Sequence, residues 1–224
     1  MNTKLSIIIP VYNEAQTCRE LINRVKSIPM VFSIIVVDDG STDETNEILS
    51  LIEGIIFLKH NTNMGKGKAI QTAIPHLTGD VVILQDGDLE YDPGDYIKLI
   101  DPIEKGEADV VFGSRWKGKP IHWSFHYFGN KLITLFSNMV NLRWIDDMAS
   151  CYKAVPVEAF KNLNLKSKGF GLEAEMTAKV FKRKLRVKEI PITYNRRSTA
   201  EGKKLRFKDG LVSAWACLRF RFFD

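Results

Sequence analysis

Ser33-Ile-Ile-Val-Val-Asp38-Asp39-Gly40-Ser41-Thr42-Asp43 is the stretch on which the reading of this chain turns. Four consecutive β-branched residues, Ile34 to Val37, are apolar on both sides of any strand they form. Such a strand belongs inside a sheet covered on both faces, as in parallel α/β architecture. The run ends abruptly in two acids and a turn glycine, and Ser41 or Thr42 suits the cap of a following helix. Working outward, Leu5–Pro10, Ile55–Leu58, Val81–Leu84 and Val110–Phe112 repeat the apolar run. Between them lie helical patterns: residues 15–27 with Leu21, Ile22 and Val25, a stretch from Thr42 with Ile48, Leu49 and Ile52, another near Gly67 with Ala69, Ile70 and Ala73, and Tyr96–Ile103. The expected fold is α/β, a mostly parallel central sheet flanked by helices.

Sheets of this kind bind ligands beyond the carboxyl ends of their strands. The polar clusters fall there: Asn13-Glu14 after the first run, Asp38-Asp39 after the second, residues 61–66 after the third, Asp86 to Asp88 after the fourth, and Arg115 after the fifth. The second half changes character. Residues 123–141 read as a long, partly amphipathic helix, and Asp146-Asp147 precedes a short segment ending at Lys153. Pro156 suits a helix first turn, residues 171–184 form a helix with a basic end, and Val187–Tyr194 is a strand. No linker, repeat or low-complexity tract divides the 224 residues, so a single domain is expected.

Hydrophobic residues make up 45% and charged residues 26%, which excludes disorder and collagen-like structure. A net charge of +5 leaves nucleic acid, acidic membrane and phosphorylated substrate open. Cys18, Cys151 and Cys217 are odd in number and lack C-x-x-C spacing, which favours a reducing compartment over disulfides or zinc. No secretory signal is expected at Met1-Asn2-Thr3-Lys4, and no apolar run reaches the ~18 residues of a spanning helix.

Gln85-Asp86-Gly87-Asp88-Leu89-Glu90 places two carboxylates one residue apart just past a buried strand. They can converge on Mg2+ or Mn2+, hard ions that take oxygen ligands and share them with substrate phosphates. A solvated Asp-Gly turn is the competing reading. Asp39 at a strand end can accept the N–H of a nucleobase, and Tyr12 can cover a base or simply pack. Asn63-Met64-Gly65-Lys66-Gly67-Lys68 precedes a helix, with lysines near its positive end. It lacks P-loop spacing and could equally be a solvated basic turn. Arg115 suits bidentate phosphate contact, or is a surface arginine.

The order P-x-Y-N-E, V-V-D-D-G-S-T-D, N-x-G-K-G-x-A, D-G-D-L-E-Y-D-P, G-S-R and R-S-x-x-E-G-K-K resembles the family 2 inverting glycosyltransferases of the GT-A fold, specifically the dolichol-phosphate mannose synthase-like branch. The likeness runs from about residue 3 to 210 and includes Phe170-Gly-Leu-Glu173-Ala-Glu175 and Glu189–Tyr194. It implies a nucleotide-sugar half over about 1–115, an acceptor half over about 116–204 and a basic, aromatic tail over 205–224. By resemblance, Pro10, Tyr12, Glu14 and Asp39 hold the nucleoside and Lys66 lies near the donor pocket. Asp86 and Asp88 hold the metal, with Glu90 beside them as a further ligand. Arg115 contacts phosphate, and Arg197, Lys203 and Lys204 belong to a loop near donor and acceptor. Asp147 matches an aspartate ahead of Met148–Lys153. Departures are Cys151, where the branch has glycine, and His122 and His126, near positions where the mannose synthases hold acceptor phosphate with arginine and serine.

The reaction implied is one in-line displacement at the anomeric carbon, with Asp147, Asp88 and Arg115 as catalytic residues and with the metal and the basic groups offsetting charge on the departing nucleoside diphosphate. A nucleotide-diphosphate hexose (UDP- or GDP-linked) is the donor. The acceptor is a polyprenyl phosphate or, alternatively, a sugar hydroxyl, whose proton Asp147 would take. A nucleotidyltransferase and a non-catalytic nucleotide-sugar binding module are the readings from other classes. The tail mixes Arg206, Lys208, Arg219 and Arg221 with Phe207, Trp215, Phe220, Phe222 and Phe223. It suits either an interfacial helix on anionic lipid or packing on its own domain or a second subunit. The expected location is the cytoplasm with peripheral membrane contact, without a nucleic-acid partner and with a homo-oligomer allowed.

Overall fold

The computed structural model describes residues 3–118, 125–196 and 207–224. Its elements run β1 (Leu5–Val11), α1 (Cys18–Lys26), β2 (Val31–Asp38), α2 (Thr45–Ser50), β3 (Ile56–Lys59), α3 (Lys66–Ala73), β4 (Val81–Leu84) and α4 (Tyr96–Glu104) in the first half. They continue with β5 (Val110–Ser114), α5 (Phe125–Asn141), β6 (Lys153–Pro156), α6 (Val157–Asn162), α7 (Leu172–Lys182), β7 (Val187–Pro191) and α8 (Phe207–Phe222). The strands form one seven-stranded sheet in the order β3-β2-β1-β4-β6-β5-β7. Every pairing is parallel except those of β6, which runs antiparallel to both β4 and β5.

The apolar runs are buried as their composition requires. Ile7, Ile8, Ile9, Ile35, Val36, Val37, Val82 and Ile83 are fully enclosed between helices. One face of α1 supplies Leu21, Ile22 and Val25 to this core, and α4 supplies Leu99 and Ile100. Registers such as Ile8 opposite both Ile35 and Leu84 bring the strand ends into one row. The strand order reverses between β1 and β4, beside the acidic turn.

Three expectations change. The helix expected from Thr42 begins at Thr45, and neither Ser41 nor Thr42 caps it. Ser41 Oγ accepts instead from the Asn13 backbone N–H at 2.9 Å, and the Thr42 N–H donates to Asn13 Oδ1 at 2.8 Å, while Asp43 Oδ1 takes the Thr45 N–H at 3.1 Å. The loops after β1 and β2 are thereby stitched together. The segment ending at Lys153 proves to lead into a strand, β6, and the strand expected through Tyr194 ends at Pro191. Tyr194 then makes an isolated antiparallel bridge with Tyr91.

The tail helix packs on its own domain, with Ala216, Cys217 and Phe220 buried between α5 and α7. Its other side exposes Leu211, Val212, Trp215 and Phe222, and Phe223 follows. Helix α5 exposes Phe128, Leu132, Leu135 and Met139 at helical spacing, with Leu142 and Trp144 beyond its end. No helix among the described residues is long and apolar enough to cross a membrane.

Candidate active site

The site lies along the carboxyl edge of the sheet. Because β6 runs backwards, its amino end reaches the same edge, adding residues 147–153 to the loops that follow β1, β2, β4 and β5. Gln85, fully buried at the end of β4, anchors the acidic turn. Its Oε1 accepts from the Tyr96 hydroxyl at 2.7 Å and the Tyr152 hydroxyl at 2.6 Å, and its amide donates to the Asp86 carbonyl at 3.0 Å. The turn sits against Pro10–Glu14. Thr17 Oγ lies 2.9 Å from both the Gly87 carbonyl and the Glu14 carboxylate, and its single hydrogen serves one of them. Within the turn Asp88 Oδ1 accepts the Glu90 N–H at 3.1 Å, and Leu89 takes a left-handed φ of 57°.

Asp39 is buried and holds the loop that leads into α3. Oδ1 accepts from the Met64 N–H at 2.9 Å and Oδ2 from the Gly65 N–H at 2.7 Å, while His60 Nδ1 stands 2.7 Å from Oδ1. A carboxylate offers roughly four lone-pair positions, so capacity remains for one further donor. The same loop is pressed against residues 167–168. A Cβ on Gly67 would stand 2.1 Å from the Ser167 carbonyl oxygen, and one on Gly65, whose φ is +94°, 2.4 Å from that of Lys168. Only glycine permits this approach. Glu175 fixes the facing segment by accepting the Lys166 and Ser167 N–H groups, both at 2.7 Å.

Lys66, the first residue of α3, reaches across the edge. Its ammonium lies 2.6 Å from Asp86 Oδ1 and 2.7 Å from Glu173 Oε1, with Cys151 Sγ at 3.5 Å. Burial alone would push this lysine down, but Asp86 and the other anionic neighbours outweigh it, and its pKa stands well above the usual lysine value. Burial raises the Cys151 thiol well above its ordinary value, with Asp86 adding to the effect. The sulfur at this branch departure therefore stays a neutral lining atom.

Arg115 and Asp147 form a buried bidentate pair. Nε donates to Oδ2 and Nη2 to Oδ1, both at 2.8 Å, and the Arg115 backbone N–H adds a third bond to Oδ2 at 3.0 Å. Asp147 has no exposed surface. The guanidinium carbon lies 5.1 Å from the Trp116 ring and 5.3 Å from the Tyr194 ring. Burial opposes the charge, yet Asp147 more than compensates and holds the Arg115 pKa above its usual value. Glu189 of β7 braces the aspartate's loop by accepting the Asp146 N–H at 2.8 Å and the Asp147 N–H at 3.1 Å.

The edge thus assembles Pro10, Tyr12, Glu14, Asp39, Lys66, Asp86 and Asp88 on one side, and Arg115 with Asp147 on the other. Glu90, expected as a further ligand beside Asp86 and Asp88, is tied to Tyr194 in this structure. Its Oε2 accepts the Tyr194 hydroxyl at 2.7 Å, and among the described residues no three His, Cys, Asp or Glu side chains gather around one ion position. Two carboxylates nonetheless fit Mg2+ or Mn2+, because these ions complete their shells with water and substrate phosphate. Arg197, Lys203, Lys204 and His122 lie outside the described residues, as does the His126 side chain. Gln85, His60, Glu173 and Glu189 had no assigned role in the sequence. Only Glu173 carried a signal, two acids spaced i, i+2 at the start of a helix.

A mostly parallel sheet with this row of acids and bases along its carboxyl edge defines a GT-A fold. The chain belongs to Glycosyl transferase family 2, whose family model matches residues 6–163. Among curated relatives it is 31% identical over 191 residues to the glycosyltransferase AglJ of Haloferax volcanii, covering 84% of this chain and 62% of that protein. It is 32% identical over 213 residues to the dolichol-phosphate mannosyltransferase of Pyrococcus furiosus, covering 89% and 59%. A low-salt glycan biosynthesis hexosyltransferase of Haloferax volcanii is 30% identical over 226 residues, covering 96% and 52%. The chain therefore spans between about half and three-fifths of the length of these relatives. Glucosyl-3-phosphoglycerate synthase from Mycobacterium tuberculosis, solved with Mn2+, UDP and glucosyl-3-phosphoglycerate, superposes with a TM-score of 0.73 at 22% identity, covering 98% of this chain and 80% of that one.

Proposed function

We propose that this chain transfers a hexose, with inversion, from a UDP- or GDP-sugar to a polyprenyl phosphate at a membrane surface. The observation that carries the reading is the Asp86-Gly87-Asp88 turn, fixed at the end of β4 beside the Asp39 loop and the Lys66 ammonium. Asp39 and Tyr12 take the nucleoside, and the Lys66 ammonium faces the diphosphate. Asp86 and Asp88 hold Mg2+ or Mn2+, which supplies positive charge against the departing diphosphate.

The lipid-phosphate acceptor is favoured over a sugar hydroxyl by the state of Asp147. A base must reach its proton, and this carboxylate is enclosed and spent on Arg115. A phosphate oxygen is already ionised at neutral pH and needs no base. We read Asp147 as the group that aims Arg115, whose N–H donors beyond those spent on Asp147 and Tyr194 serve an anionic acceptor. The Pyrococcus relative, a dolichol-phosphate mannosyltransferase, supports the same acceptor class. Family membership weighs against nucleotidyl transfer, and measured turnover would exclude a binding module. A thermal-shift series with UDP- and GDP-hexoses, each with and without Mn2+, tests the donor. A ligand at a hundredfold its Kd should add about 2.7 kcal/mol to folded-state stability. No shift with any nucleotide sugar would refute the proposal.

The apolar sides of α5 and α8 fit the acceptor. They place Leu132, Leu135, Met139, Trp144, Leu211 and Trp215 in water, with Arg143 and Arg219 exposed among them. An exposed patch of this kind marks an interaction surface, and its basic members suit an anionic bilayer. The chain is expected to sediment with phosphatidylglycerol vesicles and to remain in the supernatant after Leu132→Glu with Trp215→Glu. Equal recovery of both proteins in the supernatant would remove the membrane from the reading.

A further inference from the structure

We infer that Lys66 is an internal counter-ion that exchanges with the divalent cation on Asp86, and that Glu173 is the positioning residue that receives it. The inference rests on the assignment of Asp86 to metal in the preceding section.

Lys66 Nζ stands between two carboxylates at nearly equal distances, 2.6 Å to Asp86 and 2.7 Å to Glu173. The two acids come from separate segments, one from the turn after β4 and one from the first turn of α7. An ammonium at 2.6 Å occupies a lone pair of Asp86 Oδ1 that a divalent ion would also use. Two cations on neighbouring positions of one carboxylate repel by several kcal/mol at a protein-like dielectric of about 20. One must yield, and the lysine has somewhere to go. Its second partner, Glu173, is largely buried and already within hydrogen-bond distance. A small rotation of the lysine stem away from Asp86 keeps the charge paired on Glu173, so the site is never left with an uncompensated buried ammonium.

The arrangement makes Asp86 a less available ligand than its geometry alone suggests. It also couples the two ligands, because a diphosphate arriving beside Lys66 attracts the ammonium and so frees Asp86. Metal and nucleotide should therefore reinforce one another through the lysine, in addition to any direct coordination.

The test is Mn2+ binding without nucleotide, followed by the spin resonance of free Mn2+. Lys66→Met, which keeps the length of the stem, should bind Mn2+ about tenfold more tightly than the unsubstituted chain. Glu173→Gln should bind it more weakly, because the lysine is left with Asp86 as its only anionic partner. Lys68→Met, on the same helix, controls for a general change of charge and should shift affinity by less than about twofold. In 15N spectra the Lys66 Nζ resonance should move on addition of Mg2+ alone. Equal or weaker Mn2+ binding by Lys66→Met, or a shift of the same size from Lys68→Met, would overturn the exchange while leaving the metal site intact. Failure of the unsubstituted chain to bind Mn2+ even with UDP present would overturn the metal assignment and the exchange together.

Discussion

Asp147→Asn should unfold with about 3–5 kcal/mol less free energy than the unsubstituted chain, the usual cost of stranding one member of a buried ion pair. The reason is local. Arg115 is almost wholly enclosed and spends Nε and Nη2 on the two Asp147 oxygens, with its own backbone N–H on Oδ2 as well. An asparagine offers one acceptor oxygen in place of two and no charge, so a guanidinium between Trp116 and Tyr194 loses its counter-ion. Urea denaturation measures the loss. A second arm separates aiming from proton removal. Arg115→Met with Asp147→Leu should recover much of the lost stability, since replacing a buried pair with apolar side chains is often neutral, yet turnover should be abolished, because on the proposed reading the acceptor phosphate has lost its donor. An Asp147→Asn protein of unchanged stability, with a pH–rate profile that has merely lost one ionisation, would restore the aspartate to the role of base.

The other large effect belongs to Asp88. Asp88→Ala is expected to lower kcat/KM for sugar transfer by about a thousandfold, equivalent to about 4 kcal/mol of transition-state stabilisation. It should also remove the Mn2+-dependent part of nucleotide-sugar binding measured calorimetrically. Folding should change little, because Asp88 is only partly buried and its Oδ1 bond to the Glu90 N–H is local to the turn. The two substitutions should therefore differ in kind, Asp88→Ala losing activity at nearly unchanged stability and Asp147→Asn losing stability as well. Unchanged calorimetric binding by Asp88→Ala in Mn2+ would remove this residue from the metal site.

Most of the sheet was legible because β1, β2, β4 and β5 each carry a short continuous apolar run, rich in Ile and Val, of the kind a doubly covered sheet accommodates. The acidic turn, the Asp39 loop and Arg115 were legible because each follows such a run directly. What escaped the reading depends on pairings between distant segments. β6 is a four-residue Lys-Ala-Val-Pro segment whose lysine looks solvent-facing, yet Lys153 is buried and donates to the Met148 carbonyl at 2.9 Å. Nothing near Asp147 in the chain announces Arg115, which lies 32 residues away. Glu173 meets Lys66 across 107 positions, and His60 meets Asp39 across 21. The partner of Glu90 was hidden for a related reason. The spacing of Glu90 from Asp88 fits a ligand, but the Tyr194 hydroxyl, 104 residues on, takes its carboxylate.

The backwards course of β6 has a practical consequence for engineers. It is wedged between β4 and β5, so the later part of the polypeptide is woven into the middle of the earlier part. A hybrid spliced at residue 115 to exchange acceptor preference would pair one parent's β4 and β5 with the other parent's central strand. Mismatched seams would then run through the hydrophobic interior. Transplants should instead replace the loop before β6 and the surfaces of α5 and α8, leaving Lys153–Pro156 with the host.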